Sequence, residues 1–401
     1  MIAEPAPTIE RAGLRTTGAA SPVPLRLTFV IAGLEGGGAE RVLSILASAA
    51  AARGHQVRLI AMSSADGDFY RLHPSVELVR LAMIHETGST LHRIRLEIRL
   101  LRSLRRELHP GPPDAVIAFA TETSARVLLV SLGLRLRVIV SERSVPGTTP
   151  LGRVWSLLRR WLYRFADVVV AQTVEARNLI GQHTSARCCV VIPNPVIPPD
   201  ESAPHVERSV QPLVLAVGRL RTEKGYDLLL RAFALTRADH PEWHLAIAGD
   251  GPERARLEHL ATELDILPSV TLLGMVDRPA EAMRRASLYV LPSRFEGFPN
   301  AMIEAMARGL PVVSFDCPTG PRAIIRHELD GLLVPAEQVE AFAAAMSRLM
   351  GDALLRERLG VAAREVTTRF ALDRVVDEWL ALARGTDSAL RPDCSQRKVE
   401  P

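Results

Sequence analysis

The sequence predicts an α/β protein made of two domains in tandem, each a doubly wound parallel sheet. Three observations carry that expectation. Short Val- and Ile-rich runs alternate with longer helical patterns through most of the 401 residues. The alternation breaks once, at IPNPVIPPDESAPHVERSVQP (192–212), and then restarts. Hydrophobic residues make up 47% of the chain, enough for each half to bury a core.

Taken in order, residues 1–22 read as a disordered leader. They hold Glu4, Glu10, Arg11 and Arg15 and lack the apolar stretch of a secretion signal. The first domain is expected over 23–195, with strands at RLTFVIAGL (26–34), QVRLIAM (56–62), VELVRL (76–81), DAVIAFA (114–120), RVIVSE (137–142) and DVVVAQT (167–173). Helical patterns such as GAERVLSILASAAAARG lie between them. Short strands of this composition, alternating with helices, belong to a parallel sheet covered on both faces. Residues 196–211, rich in Pro and polar side chains, are the linker. The second domain, 212–370, has strands at PLVLAVGRL (212–220), WHLAIAGDG (243–251), VTLLG (270–274), LYVLPS (288–293) and PVVSFD (311–316). Amphipathic helices follow at 340–350, 353–368 and 372–384. The segment 371–387 is expected to pack back toward the first domain, and 388–401 to be a disordered tail. Tandem domains of this kind bind ligands in the cleft between them, at the carboxyl ends of their strands.

Net charge is only +4, but residues 1–200 hold 24 Arg against 16 acidic residues, a net of +8. The remainder holds 25 basic against 29 acidic residues, a net of −4. A basic first half points to an anionic partner for that half. No apolar run reaches the roughly 18 residues needed to span a bilayer. Cys188, Cys189, Cys317 and Cys394 show neither metal-ligand nor disulfide-framework spacing, so the expectation is a reduced, cytosolic setting with Cys188 and Cys189 as packing residues.

Four segments carry chemistry. LEGGGAER (34–41) follows the first strand and opens a helix; its glycines let backbone N–H groups approach an anion. Arg41 stands where a dinucleotide fingerprint would want its third glycine, which disfavours nicotinamide or flavin binding. GRLRTEKG (218–225) follows the first strand of the second domain and brings Arg219 and Lys224 to the cleft. Lys224 is one of only two lysines, a compact point charge suited to phosphate. AGDGPER (248–254) has the same strand-Gly-helix form and reads mostly as turn chemistry. SRFEGFPNAMIEAMARG (293–309) is a loop, then Pro299 in the first turn of a helix that carries Glu304 inside an apolar segment. A buried carboxylate needs donors. Ribose or sugar hydroxyls would supply them to Glu304 and Glu296; a capping Glu296 and an Arg-paired Glu304 would give the same spacing.

Together these residues resemble the glycosyltransferases of family 4, from GGGAER through GRLRTEKG and AGDGP to the two glutamates of EGFPNAMIE, with CPTGPRAII (317–325) and DGLLVP (330–335) continuing the pattern. SERSVP (141–146) and RRWLYRFADVVVAQT (159–173) are similar to bacterial enzymes that extend glycans on undecaprenyl diphosphate. The resemblance implies the GT-B fold and retaining transfer of a hexose or N-acetylhexosamine from a nucleotide-diphosphate sugar, in exopolysaccharide, capsule, O-antigen or glycoprotein glycan synthesis. UDP-sugars such as UDP-GalNAc or UDP-Gal are favoured, with GDP-mannose the alternative. It assigns catalysis to Arg219, Lys224 and Glu296, with Arg219 and Lys224 on the donor diphosphate, Glu296 on the transferred sugar and Glu304 on the ribose. Gly37, Gly38, Gly249, Gly297, Phe298, Asn300 and Ala301 complete the donor site, mostly through backbone amides. Many members place a histidine beside the reacting sugar. Here the matching segment has Glu142 and Arg143, assigned to acceptor contact. No Asp-x-Asp cluster occurs in the donor region, so no metal, no other cofactor and no nucleic-acid partner is expected. A GT-B phosphorylase, a nucleotide-sugar epimerase and a binding protein without turnover are the competing readings. No pyridoxal-phosphate lysine site is evident for the first.

LHRIRLEIRLLRSLRREL (91–108) has Leu91, Ile94, Ile98, Leu101 and Leu104 along one side of a helix, ringed by arginines. RVWSLLRRWLYRF (153–165) has the same character. Both suit an anionic membrane surface, and a core-facing stripe with a solvated basic face would read the same. With a lipid-linked acceptor, the expected location is cytoplasmic, peripheral at the inner face of the plasma membrane.

Overall fold

Residues branched at Cβ favour extended backbone and pack well on a pleated surface. Among the described residues the runs of them form thirteen strands in two all-parallel sheets. A computed structural model describes residues 23–63, 69–82, 89–109, 111–144, 151–199, 211–276 and 279–386. The expected leader, the tail and most of the linker lie outside the described residues.

The first sheet contains β1 (Arg26–Ile31), β2 (Gln56–Ala61), β3 (Val76–Arg80), β4 (Ala115–Phe119), β5 (Val138–Ser141), β6 (Val168–Ala171) and β7 (Cys189–Val191), in the order β3-β2-β1-β4-β5-β6-β7. Its helices are α1 (Gly38–Ala52), α2 (Thr90–Leu108), α3 (Thr121–Ser131), α4 (Arg153–Leu162) and α5 (Val174–His183). The second sheet contains β8 (Leu213–Val217), β9 (His244–Ala248), β10 (Val270–Gly274), β11 (Leu288–Leu291), β12 (Val312–Asp316) and β13 (Leu332–Pro335), in the order β10-β9-β8-β11-β12-β13. Its helices are α6 (Tyr226–Thr236), α7 (Arg254–Glu263), α8 (Pro279–Arg285), α9 (Asn300–Ala307) and α10 (Pro321–Ile324). After β13 come α11 (Val339–Gly351), α12 (Ala353–Ala363), α13 (Val366–Arg369) and α14 (Leu372–Arg384).

Each sheet has apolar clusters on both faces. Helix α14 belongs to the first domain: Val375, Val376, Trp379 and Leu380 join the cluster built on β1 and α1. Trp379 stacks on Phe119 with ring centroids 5.9 Å apart, and Arg53 of α1 pairs with Asp373 and Asp377. The crossing back is marked by a bridge between Val196 and Ala371.

Two sequence expectations need correction. Cys188 is disulfide-bonded, whereas Cys189 and Cys317 are free, so the expected reduced state fails at Cys188, which nevertheless packs in the cluster built on β1 and α1. The stripe expected along α2 also divides. Leu104 is buried with Leu100 and Leu108, whereas Leu91, Ile94 and Ile98 are exposed. The helix has two apolar sides, and only the one at its C-terminal half meets the core.

Candidate active site

In both sheets the strand order reverses beside the first strand, between β1 and β4 and between β8 and β11. At such a reversal the loops leaving adjacent strands diverge and open a crevice. The loop after β1 is the GGG segment, the loop after β8 carries Arg219 and Lys224, and the loop after β11 carries Glu296. The fold therefore delivers the motif residues of both domains to the two switch points.

On the second domain, Lys224 ends a single 3-10 turn (Thr222–Lys224), and its Nζ lies 2.7 Å from Glu296 Oε1. Ser293 donates to the same oxygen at 2.7 Å. The Glu296 side chain is only 8% exposed, so its charge depends on these donors. Arg294 ties the two loops together. Its guanidinium grips Asp227 at the start of α6 with two bonds of 2.9 Å and donates to the Thr222 carbonyl, while its N–H donates to the Glu223 carbonyl. Burial pushes the Asp227 carboxyl up, and the Arg294 bonds more than reverse this, leaving it below its ordinary value. Gly225 lets the loops meet: it has φ 65°, and a Cβ there would lie 2.0 Å from the Pro292 carbonyl oxygen. Gly249 does the same for the loop after β9, where a Cβ would lie 2.0 Å from the Gly218 carbonyl oxygen. Its N–H is bonded to the Gly274 carbonyl, so Gly249 shapes the site by allowing close approach. Arg219, on the same loop as Lys224, is exposed.

Glu304 lies in α9, which begins at Asn300 with Pro299 as the preceding cap rather than in the first turn. Met302, Ile303, Ala305 and Met306 bury the helix on all sides, and Glu304 is buried with them. Its Oε1 is 2.6 Å from Arg41 of α1, an arginine contributed by the other domain. The Arg-paired alternative is thus what the structure shows, with the partner across the cleft. Asn300 faces the same way. Its Oδ1 accepts from Asn194 Nδ2 at 2.7 Å, and its Nδ2 donates to the Gly38 carbonyl at 3.3 Å. Asn194 Oδ1 in turn accepts from Gln172 Nε2 and from the Arg143 guanidinium. Gly297 packs against this group, its Cβ direction facing Gln172. Phe298 is buried against Phe370, whereas Ala301 is half-buried at the helix start.

The first-domain residues depart from expectation in two places. The Gly37 N–H donates to Glu40 Oε2 at 2.6 Å, so that amide is occupied by the capping carboxylate and only Gly38 turns toward the other domain. Glu142 accepts from Thr121, Tyr163 and the N–H groups of Arg143 and Ser144, at 2.5–2.9 Å. Oε1 takes three of these donors and Oε2 one, all from within its own domain, so Glu142 braces the loop after β5. Arg143 stands 4.4 Å over the Phe119 ring, and its Nε is buried without a partner. Burial pushes its guanidinium down to about 9, against a smaller upward pull from Glu142. Among the described residues, no three His, Cys, Asp or Glu side chains form a metal-ligand group. Sequence reasoning gave no role to Arg41, Gln172, Asn194, Asp227 or Ser293 and only quoted Arg294. Apart from Ser293, three residues from Glu296, each acts through a partner distant in the chain, which no local pattern announces.

Two family models cover most of the chain. The Glycosyltransferase Family 4 model matches residues 36–198, and the Glycosyl transferases group 1 model matches residues 199–366. The chain belongs to the GT-B glycosyltransferases, with a family 4 first domain. Among the relatives of this glycosyltransferase are bacterial enzymes of glycan synthesis. An α-1,4-N-acetyl-D-galactosaminyltransferase of Campylobacter jejuni, named for a GalNAc-containing glycan on PP-undecaprenol, is 28% identical over 89% of this chain and 98% of its own length. An exopolysaccharide phosphotransferase of Streptomyces coelicolor is 43% identical over 58% of this chain, but the match spans only 25% of that protein. Among solved structures, Anabaena HepE in complex with UDP and glucose superposes with a TM-score of 0.72 at 19% identity, covering 89% of this chain and 98% of that one. That likeness establishes the shared two-domain fold of the glycosyltransferase.

Proposed function

We propose that this glycosyltransferase retains anomeric configuration and moves a hexose or N-acetylhexosamine from a UDP-sugar to a growing glycan on undecaprenyl diphosphate. The observation that supports it best is the 2.7 Å pair of Lys224 and Glu296, with Arg219 exposed on the same loop as Lys224 and Glu304 in the helix that follows Glu296. Lys224 has three N–H donors, and one contact with Glu296 leaves the others for phosphate oxygens. When the bond from the sugar to the diphosphate breaks, the electron pair leaves with the nucleotide. Cations already in place strengthen their hold in that state and lower the barrier. Glu296, beside Lys224, would hold the sugar hydroxyls, and Glu304 the ribose.

The test is a panel of UDP- and GDP-sugars with a synthetic diphosphate-linked acceptor. Transfer from a UDP-N-acetylhexosamine or UDP-hexose, with an α-linked product from an α-linked donor and no loss on adding EDTA, is the expected result. Product of inverted configuration would sink the retaining assignment.

The acceptor side supports a membrane-bound substrate. Helices α2, α3 and α4 share one face: Arg126 of α3 pairs with Glu97 of α2 and lies 4.4 Å over the Trp155 ring of α4. On α2, on α4 and in the turn after α4, Leu91, Ile94, Ile98, Val154, Leu157, Trp161 and Phe165 are exposed, as are Arg93, Arg95, Arg99, Arg153, Arg160 and Arg164. Apolar side chains within a basic ring suit an anionic lipid surface. Among the described residues no helix is long and apolar enough to cross a membrane, so the contact proposed is peripheral, at the cytoplasmic leaflet. Flotation with anionic liposomes should carry the protein upward at low salt, and Trp161→Ala should weaken that. A wild-type chain left at the bottom would remove the membrane contact.

A further inference from the structure

The ion pair across the cleft has a consequence for nucleotide binding. Arg41 stands in the first turn of α1, beside the GGG loop, and reaches Glu304 in α9 of the second domain at 2.6 Å. The Glu304 side chain is 11% exposed, and its helix is buried on the remaining sides. Arg308, on the same helix, directs its guanidinium to the Glu304 backbone carbonyl at 2.9 Å rather than to the carboxylate. The other charged or titratable groups facing this carboxylate are Tyr70 of the first domain and Tyr289 of β11, with Arg284 of α8 acting on Arg308. Arg41 is therefore the cation that directly meets the buried carboxylate.

We propose that Arg41 is a positioning residue for the donor nucleotide: from the first domain it keeps the buried Glu304 ionised and aimed, so the ribose end of the site is built by both domains. The inference rests on the reading that Glu304 receives the ribose hydroxyls. An ionised carboxylate offers about four lone-pair positions, and a protonated one offers fewer and carries a donor of its own. Arg41 uses Oε1, which leaves Oε2 for hydroxyls. Burial pushes the Glu304 carboxyl up, and Arg41 and then Arg308 oppose this in part, leaving it above its ordinary value. Without Arg41 the first influence is opposed by Arg308 alone, and the neutral form gains. A neutral Glu304 accepts the two hydroxyls less strongly, because the charge is lost and one oxygen becomes a donor, so nucleotide affinity becomes dependent on pH and improves as pH rises.

The experiment is calorimetric titration of the full chain with UDP between about pH 6 and pH 9, spanning the range over which a buried carboxyl titrates. Wild type, Arg41→Met, Arg41→Lys and Glu304→Gln are compared, with thermal melts to verify folding. The wild-type Kd should stay nearly flat. Arg41→Met should bind about 10–100-fold more weakly at the acid end and recover toward the alkaline end. Arg41→Lys, which restores the charge, should regain most of the affinity at every pH. Glu304→Gln should bind weakly with no pH dependence. A loss in Arg41→Met that is equal at all pH values would make Arg41 merely structural and overturn the proposal, as would wild-type affinity in that variant. If Arg41→Met does not fold, Arg41→Gln takes its place under the same criteria. A folded wild-type chain that binds neither UDP nor GDP would overturn the donor-site reading, and this proposal with it.

Discussion

Lys224→Ala should lower kcat for sugar transfer by about 10²–10³-fold, the cost of losing one preset charge that stabilises a developing anion. The variant removes the ammonium that bonds Glu296 at 2.7 Å. Among the described residues Glu296 then keeps only Ser293 as its side-chain donor, so a stability loss of about 1–3 kcal/mol accompanies the kinetic effect. Arg294 still fastens the loop after β8 to the loop after β11 through Asp227, Thr222 and Glu223, so the fold survives. Steady-state kinetics beside a urea melt separates the two effects. A kcat within a few-fold of wild type, in a protein that unfolds cooperatively, would exclude Lys224 from the chemistry.

Glu304→Ala should raise KM for the donor and lower kcat/KM by about 10²–10³-fold. Two hydroxyl bonds to a charged acceptor, each worth roughly 1.5–3 kcal/mol, would be lost together. The substitution also frees Arg41 from its only ion pair among the described residues. KM should carry most of the change, because the ribose contact is made equally before and during transfer. Lys224→Ala should act mainly on kcat, so the two variants divide the donor into a binding end and a reacting end. Parallel losses of kcat alone in both would contradict that division.

Most of the fold was legible because parallel strands buried on both faces leave continuous apolar runs. VVVA, AVIAF and LVLAV are strands where the composition puts them. The strands that escaped are the short outer ones. β7 has three residues beside adjacent cysteines, and β13 has four within DGLLVP, so neither shows a period. The divided stripe of α2 has a similar origin, since Leu91 and Leu100 both fit a helical repeat and only the neighbouring elements decide which side is covered. At the site, Lys224, Glu296 and Glu304 stood out because each is an unusual residue in its context: a rare lysine, and carboxylates beside or inside an apolar segment. Their partners did not. Arg41 lies among 47 arginines, and nothing local distinguishes it until the two domains face each other. At Glu142 the position in the SER segment suggests a ligand contact, and the donors that Thr121 and Tyr163 bring to it from its own domain are equally illegible in the sequence.

The central claim is that the cleft holds a nucleoside diphosphate between cations at one end and Glu304 at the other. A crystal structure of the chain with UDP tests it most directly. The account places Lys224 Nζ and the Arg219 guanidinium within about 3 Å of diphosphate oxygens, and the Glu304 carboxylate at a similar distance from the ribose hydroxyls. UDP bound with these three side chains turned away from it, or bound outside the two switch points, would contradict the account.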